Sequence, residues 1–218
     1  MIVDERAVAY IRSLETAECT VLEEIESEAL EQRVPIIRKE TQSFLKVLLC
    51  MKKPRKILEI GTGVGFSALL MSVYMPEGCH IVTIENYAKR IPAARANFER
   101  MGKGKQITLL EGDALDVLKE LDEGFDFIFM DAAKGQYIYY LPETLRVLED
   151  DGILLSDNVL QGGDVLESRF AVERRDRTIH ARMREYLYEL KHHDRLATSI
   201  LPLGDGVAVS VKRPAIRR

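Results

Sequence analysis

From Lys56 to Ser156, short runs of branched and aromatic residues alternate with stretches of helical periodicity, and this rhythm constrains the fold more than any other feature. The runs are Lys56–Ile60, Ile81–Glu85, Ile107–Leu110, Phe125–Met130 and Gly152–Ser156. Each is too short for a stable helix and rich enough in Ile, Leu, Val or Phe for a strand covered on both faces. Between them lie helical patterns near Ser67–Tyr74, Ala88–Met101, Ala114–Leu121 and Tyr139–Leu148. Strands joined through helices form βαβ units, so the expectation is an α/β fold with a mostly parallel sheet and helices on both faces. Such sheets bind ligands outside the carboxyl ends of their strands, where the winding reverses.

The flanks break the rhythm. Before Pro54, Val8, Ile11 and Leu14 recur at helical spacing, as do Val21, Leu22, Ile25, Ala29 and Leu30. A third helix runs from about Lys39 to Met51, and Pro35 interrupts the stretch before it. At the other end a charged helix from about Asp176 to Lys191 leads to Ala197–Leu201, the turn Pro202-Leu203-Gly204-Asp205-Gly206 and Val207–Val211. Two β runs around a Gly-Asp-Gly turn read as an antiparallel hairpin. The whole is therefore expected to be a Rossmann-like, seven-stranded sheet closed by that hairpin. No linker, repeat or shift in composition divides 1–218, so one domain is expected, with extra helices in 1–53 and the core in 54–218.

Composition narrows the class. A net charge of −4 carries no overall nucleic-acid signature. No apolar run approaches the roughly 18–20 residues needed to cross a bilayer. The run Met1-Ile2-Val3-Asp4-Glu5-Arg6 lacks the apolar stretch of a signal peptide. Cys19, Cys50 and Cys79 are odd in number and widely spaced, which argues against a disulfide framework or a zinc site. The expectation is a cytoplasmic protein with reduced thiols and no membrane partner.

Two groups of residues carry chemistry. The first is Glu59-Ile60-Gly61-Thr62-Gly63-Val64-Gly65-Phe66-Ser67, which follows the first strand and opens a helix. Glycines there let backbone approach a ligand, and the helix start offers free N–H groups. A dinucleotide site wants G-x-G-x-x-G beneath a pyrophosphate, whereas this loop reads G-x-G-x-G. Glu59 disfavours a pyrophosphate and suits the ammonium group of a methionyl moiety. Glu85, ending the second strand, is placed to accept hydrogen bonds from ribose hydroxyls, a feature that nicotinamide sites share. Gly112-Asp113-Ala114, ending the third, suits an adenine contact. A nicotinamide oxidoreductase and a non-catalytic nucleotide-binding module remain the rival classes.

The second group is Asp131-Ala132-Ala133-Lys134-Gly135-Gln136-Tyr137 after the fourth strand and Asp157-Asn158 after the fifth. Neighbouring strands lie about 4.8 Å apart, so Asp131, Asp157 and Asn158 can converge. Two carboxylates and an amide oxygen are hard donors, suited to Mg²⁺ or Mn²⁺. Taken singly, each has an ordinary alternative: acids at strand ends cap helices, Asp-Asn forms turns, and a lysine is usually solvated.

From about Val34 to Lys212 the chain resembles the S-adenosylmethionine-dependent, metal-dependent O-methyltransferases of the catechol and caffeoyl-CoA type. The resemblance implies a metal held by Asp131, Asp157 and Asn158, with Asp131 and Lys134 catalytic and Lys134 acting as general base. It implies a donor site built from Glu59, Gly61, Gly63, Ser67, Glu85, Gly112, Asp113, Ala114 and Asp131, covered by Ile37. It also implies a homodimer, for which the apolar N-terminal helices offer a contact. Bidentate chelation favours an acceptor with two adjacent oxygens, such as a catechol or a 5-hydroxyuridine. Within the family the chain most resembles the bacterial tRNA 5-hydroxyuridine methyltransferases, through Val34-Pro35-Ile36, the Asp131–Tyr137 stretch, Asp157-Asn158-Val159-Leu160 and Pro202–Gly206.

A local feature agrees with an RNA partner. Arg169, Arg174, Arg175, Arg177, Arg182 and Arg184 follow the second acidic motif and could grip phosphates around an anticodon loop. Glu167, Glu173, Asp176 and Glu185 are interleaved, and a mixed-charge helix face is ordinarily just solvated. The leading expectation is methylation of the tRNA wobble 5-hydroxyuridine; the alternative is a small phenolic acceptor. Tyr137, Tyr139 and Tyr140 are candidates to stack on a base or to pack in the core.

Overall fold

The computed structural model describes residues 3–215; Met1 and Ile2 of the charged amino-terminal run lie outside them, as do residues 216–218. Seven strands form one sheet: β1 (Lys56–Ile60), β2 (His80–Glu85), β3 (Ile107–Glu111), β4 (Phe125–Met130), β5 (Leu148–Asp157), β6 (Leu196–Leu201) and β7 (Val207–Lys212). Their order is β3-β2-β1-β4-β5-β7-β6. The first five run parallel, and β7 pairs antiparallel with both β5 and β6. The chain winds outward from β1 to β3 and then returns to β4 beside β1. The reversal leaves a crevice at the carboxyl ends of β1 and β4.

Register determines what meets in that crevice. Ile60 is level with both Ile84 and Met130, and Met130 with Ser156. The next residue of each chain, Gly61, Glu85, Asp131 and Asp157, therefore falls in one row along the sheet's carboxyl edge.

Eight α-helices among the described residues surround the sheet: α1 (Glu5–Ser13), α2 (Thr20–Glu31), α3 (Lys39–Lys52), α4 (Phe66–Tyr74), α5 (Ile91–Arg100), α6 (Ala114–Glu120), α7 (Tyr137–Val147) and α8 (Arg177–His192). Alternate strand residues feed two cores, as the period of two requires. Ile57, Ile81, Phe127, Phe129 and Leu155 pack with Leu22, Ile25, Leu45, Leu49, Phe66 and Leu69 from α2, α3 and α4. Leu58, Ile60, Ile84, Ile128, Met130 and Leu154 pack with Leu118, Leu141, Tyr186 and Leu190 from α6, α7 and α8. The N-terminal helices α2 and α3 are thus part of one sheet face. Helix α1 buries no residue of its own; Arg12 ties it to the buried Glu40 of α3 at 2.5 Å.

Three boundaries differ from the sequence reading. Strand β5 begins at Leu148 rather than Gly152, because the turn after α7 is already extended and a register shift opposite Phe125–Phe127 absorbs the acidic Glu149-Asp150-Asp151. Helix α5 begins at Ile91, with Pro92 in its first turn where no N–H is needed. Helix α7 begins at Tyr137, whose ring is wholly buried.

Candidate active site

A cavity of about 440 Å³ opens at the switch point. Its wall includes Gly61, Gly63 and Ser67 from the glycine loop, Glu85, Gly112 and Ala114 from the next two strand ends, and Asp131, Lys134 and Asn158 from the other side. Ile36 and Ile37 cover it from the segment before α3, and Tyr140 closes it from α7.

The loop can come this close only because Gly61 lacks a side chain. Its φ is +102°, and a Cβ there would lie 2.8 Å from the carbonyl carbon of Asp131 and closer still to its oxygen. Gly61 N–H donates to Ile84 O and Asp131 N–H to Ile60 O, both at 3.0 Å, so the sheet's hydrogen bonding continues one residue past the strands. Glu85 is held by its own turn: Oε1 accepts from the amides of Asn86 and Tyr87, and Oε2 from Gly63 N–H at 2.7 Å.

Glu59 and Asp113 stand elsewhere than expected. Glu59 is fully buried beneath the loop, off the cavity wall, and accepts from Ser67 Oγ and Thr83 Oγ1, each at 2.5 Å. Burial pushes its carboxyl up to about 8, against those two hydrogen bonds and with the charges of Asp131 and Glu85 adding to the rise. Its carboxyl thus holds Ser67, which is itself on the cavity wall. Asp113 Oδ1 caps α6 by accepting from Leu115 N–H at 2.9 Å, while its neighbours Gly112 and Ala114 reach the wall. A cap is the ordinary use of an aspartate in that place.

On the acidic side, Lys134 joins the two motifs. Its Nζ donates to Asp131 Oδ1 at 2.6 Å, to the Tyr137 hydroxyl at 3.0 Å and to the Asp157 carbonyl at 3.4 Å. Burial works against this ammonium, but the fields of Tyr137 and Asp131 and the hydrogen bonds to both outweigh it, and the pKa is raised. The resemblance makes Lys134 a general base. In the structure its ammonium is the ion-pair partner of Asp131.

Asp157 is 6% exposed. Its Oδ1 accepts from Asn158 N–H at 2.7 Å and from Thr41 Oγ1 at 3.4 Å. Burial, then the charge of Asp131, pushes it up to about 7 in spite of Lys134. Among the described residues no three His, Cys, Asp or Glu side chains cluster as metal ligands, so a cation here must complete its shell with amide oxygen, substrate or water. Asn158, whose amide oxygen is of that kind, lies on the cavity wall. The second oxygens of Asp131 and Asp157 accept no hydrogen bond among the described residues. Asp131 and Asn158 line the cavity, whereas Asp157 is buried off its wall; two carboxylates and an amide oxygen are the donor types that a hard divalent cation takes.

The comparisons decide the family. A family model described as O-methyltransferase matches residues 12–213. The chain belongs to the O-methyltransferase family. The catechol O-methyltransferase of Mycobacterium tuberculosis is 30% identical over 192 residues, covering 86% of this chain and 85% of that protein. That of Niastella koreensis is 34% identical over 128 residues, 57% of this chain and 58% of the relative. The S-adenosylhomocysteine-bound methyltransferase PaMTH1 of Podospora anserina superposes with a TM-score of 0.86 at 28% identity, over 96% of this chain and 95% of that one.

In this O-methyltransferase the arginine cluster divides. Arg177 Nε donates to Val172 O, and Arg182 Nη1 donates to Gly135 O while its guanidinium lies over Tyr139. Arg184 reaches the carbonyls of Val165 and Glu167, and His180 Nε2 lies 3.1 Å from the latter. These side chains fasten the 161–176 segment and the Lys134 turn to α8. Arg175 pairs with Glu173 and Asp176. Arg169 and Arg174 remain exposed on that segment beside Phe170, which is 85% exposed. Two polar contributors escaped the sequence reading: Thr41, which touches Asp157, and Thr83, which touches Glu59. Both are ordinary strand or helix residues by pattern, and only their neighbours in space give them a role.

Proposed function

We propose that this O-methyltransferase moves the methyl group of S-adenosylmethionine to a hydroxyl of a small molecule carrying two adjacent oxygens, of the catechol or caffeoyl type. The observation that carries this reading is one cavity walled by Gly61, Gly63, Ser67 and Glu85 on one side and by Asp131, Lys134 and Asn158 on the other. The first set suits the donor, with Glu85 facing ribose and Gly112 and Ala114 flanking the base. The second suits a chelated acceptor, with Asp131, Asp157 and Asn158 as the residues that would hold Mg²⁺ or Mn²⁺. That cation would lower the acceptor hydroxyl's pKa and polarise its oxygen.

The chain's own residues do the rest. The cavity would hold donor and acceptor with oxygen, methyl carbon and sulfur in line, and such alignment supplies much of the rate. Transfer would form a C–O bond as the donor's C–S bond breaks, leaving S-adenosylhomocysteine. Lys134, charged in its ion pair with Asp131, would first give a proton to solvent water, and the free amine would then take the hydroxyl proton. Asp131 fixes the amine beside the acceptor oxygen.

The two acceptor readings exchange rank. Relatives named as catechol and caffeoyl-CoA O-methyltransferases support the small phenol, which sequence placed second. Methylation of 5-hydroxyuridine in a tRNA anticodon loop stays as the second reading, favoured by exposed Arg169, Arg174 and Phe170 on the segment that follows Asn158. Purified protein with donor and Mg²⁺ is to be offered a catechol, the matching monophenol and hypomodified tRNA, with methyl ethers read by mass spectrometry. Catechol methylation that a chelator abolishes is expected. Turnover of tRNA far above that of any diphenol, with steep salt dependence, would reverse the ranking.

A further inference from the structure

Tyr137 is as deeply buried as any side chain in the molecule, yet its hydroxyl meets four polar groups of the candidate site. It accepts from Lys134 Nζ at 3.0 Å and from Ala132 N–H at 3.3 Å. It can donate to Met130 O at 3.1 Å or Asp157 O at 3.2 Å, the terminal carbonyls of β4 and β5. A phenol has one proton and two acceptor positions, so this arrangement uses all of its capacity. Tyr186 supports the ring edge-on at 5.3 Å, with its own hydroxyl 2.6 Å from Ser156 Oγ.

We infer that Tyr137 is a positioning residue for methyl transfer: its hydroxyl pins the ends of β4 and β5 at one spacing and holds the Lys134 amine over them. The inference rests on the proposed reading of Asp131, Asp157, Asn158 and Lys134. Backbone hydrogen bonds cannot do this alone. The paired register between β4 and β5 stops at Met130 and Ser156, one residue short of Asp131 and Asp157. Past that point the Tyr137 hydroxyl is a direct bridge between the two chains, and it shares Lys134 with Asp131 and the Asp157 carbonyl. Sequence reasoning left Tyr137 to stack on a base or to pack in the core; its burial selects packing.

The test compares Tyr137→Phe with Tyr186→Phe in the full chain. Each removes one buried hydroxyl, and the two rings touch, but only the first hydroxyl contacts Lys134 and both strand ends. Melting temperature, Mn²⁺ affinity by calorimetry with S-adenosylhomocysteine present, and kcat and KM on a catechol are measured for each. Both variants should lose similar stability. Tyr137→Phe should lose roughly 10- to 100-fold in kcat or Mn²⁺ affinity, with S-adenosylhomocysteine affinity within about twofold. Tyr186→Phe should keep both. Unchanged Mn²⁺ affinity and kcat in Tyr137→Phe, or equal losses in Tyr186→Phe, overturn the inference. Wild-type protein that takes up no Mn²⁺ overturns the metal reading and the positioning role with it. Protein that takes up Mn²⁺ but methylates no diphenol overturns only the acceptor, and the Mn²⁺ comparison then decides for or against Tyr137.

Discussion

Gly61→Ala tests whether the crevice depends on backbone contact across the switch point. The new methyl would sit 2.8 Å from the Asp131 carbonyl carbon, closer to its oxygen, and 3.2 Å from Ala132 Cα. Those are backbone atoms tied into the sheet through Asp131 N–H and Ile60 O, so they cannot swing aside as a side chain would. Relieving the contact demands a shift on the order of 1 Å, an overpacking cost of about 1–3 kcal/mol. Holding alanine at a φ of +102° adds about 1–3 kcal/mol. A combined loss of about 2–6 kcal/mol corresponds to roughly 5–20 °C in a domain of this size. The displaced residue is Asp131 itself, and about 1 Å of misplacement can cost on the order of 10²-fold in rate. Gly78→Ala is the control: its φ is +83° but nothing lies within 4 Å of the added methyl, so it carries the conformational cost without the collision. Calorimetric melting and initial methyl-transfer rates are to be compared. A Gly61→Ala protein that melts no lower than the Gly78→Ala protein and turns over at the wild-type rate would refute the reasoning.

Asp157→Ala should abolish metal-dependent turnover while S-adenosylhomocysteine still binds, as calorimetry would report; activity that survives both the substitution and a chelator would remove Asp157 from the site. Lys134→Ala should lower kcat by about 10²–10⁴-fold if the amine receives the proton, measured in steady state with donor saturating. Glu59→Gln addresses stability in the ligand-free protein. Because the folded carboxyl is raised to about 8 from an ordinary 4.5, the folded state keeps a proton that the unfolded chain releases, and stability falls as pH climbs between those values. Denaturant titrations from pH 5 to 8 should therefore find Glu59→Gln gaining on wild type by several kcal/mol at most; parallel curves would show that Glu59 is ionised throughout.

The strand–helix alternation from Lys56 to Ser156, the closing hairpin and the positions of the glycine and acidic motifs were legible from the chain, because each rests on local periodicity or turn chemistry. Charge roles were not. Glu59 and Asp113 are acids at strand ends and read alike in sequence, yet one is buried against Ser67 and Thr83 and the other caps α6. The arginines between 169 and 184 form a single basic cluster in one dimension. In space Arg177, Arg182 and Arg184 spend their donors on backbone carbonyls, which no spacing rule encodes.

The amino-acid order by itself determined which residues could form strands, where the backbone needs glycine, and which donor atoms are available at the carboxyl edge. Tertiary structure alone decided which of those atoms meet. The strand order brings β1 beside β4, the register sets Gly61, Glu85, Asp131 and Asp157 in one row, and Tyr137 locks the last two chain ends together. Contact between residues far apart in sequence depends on sheet pairing and on desolvation, both properties of the assembled core, and a local pattern contains neither.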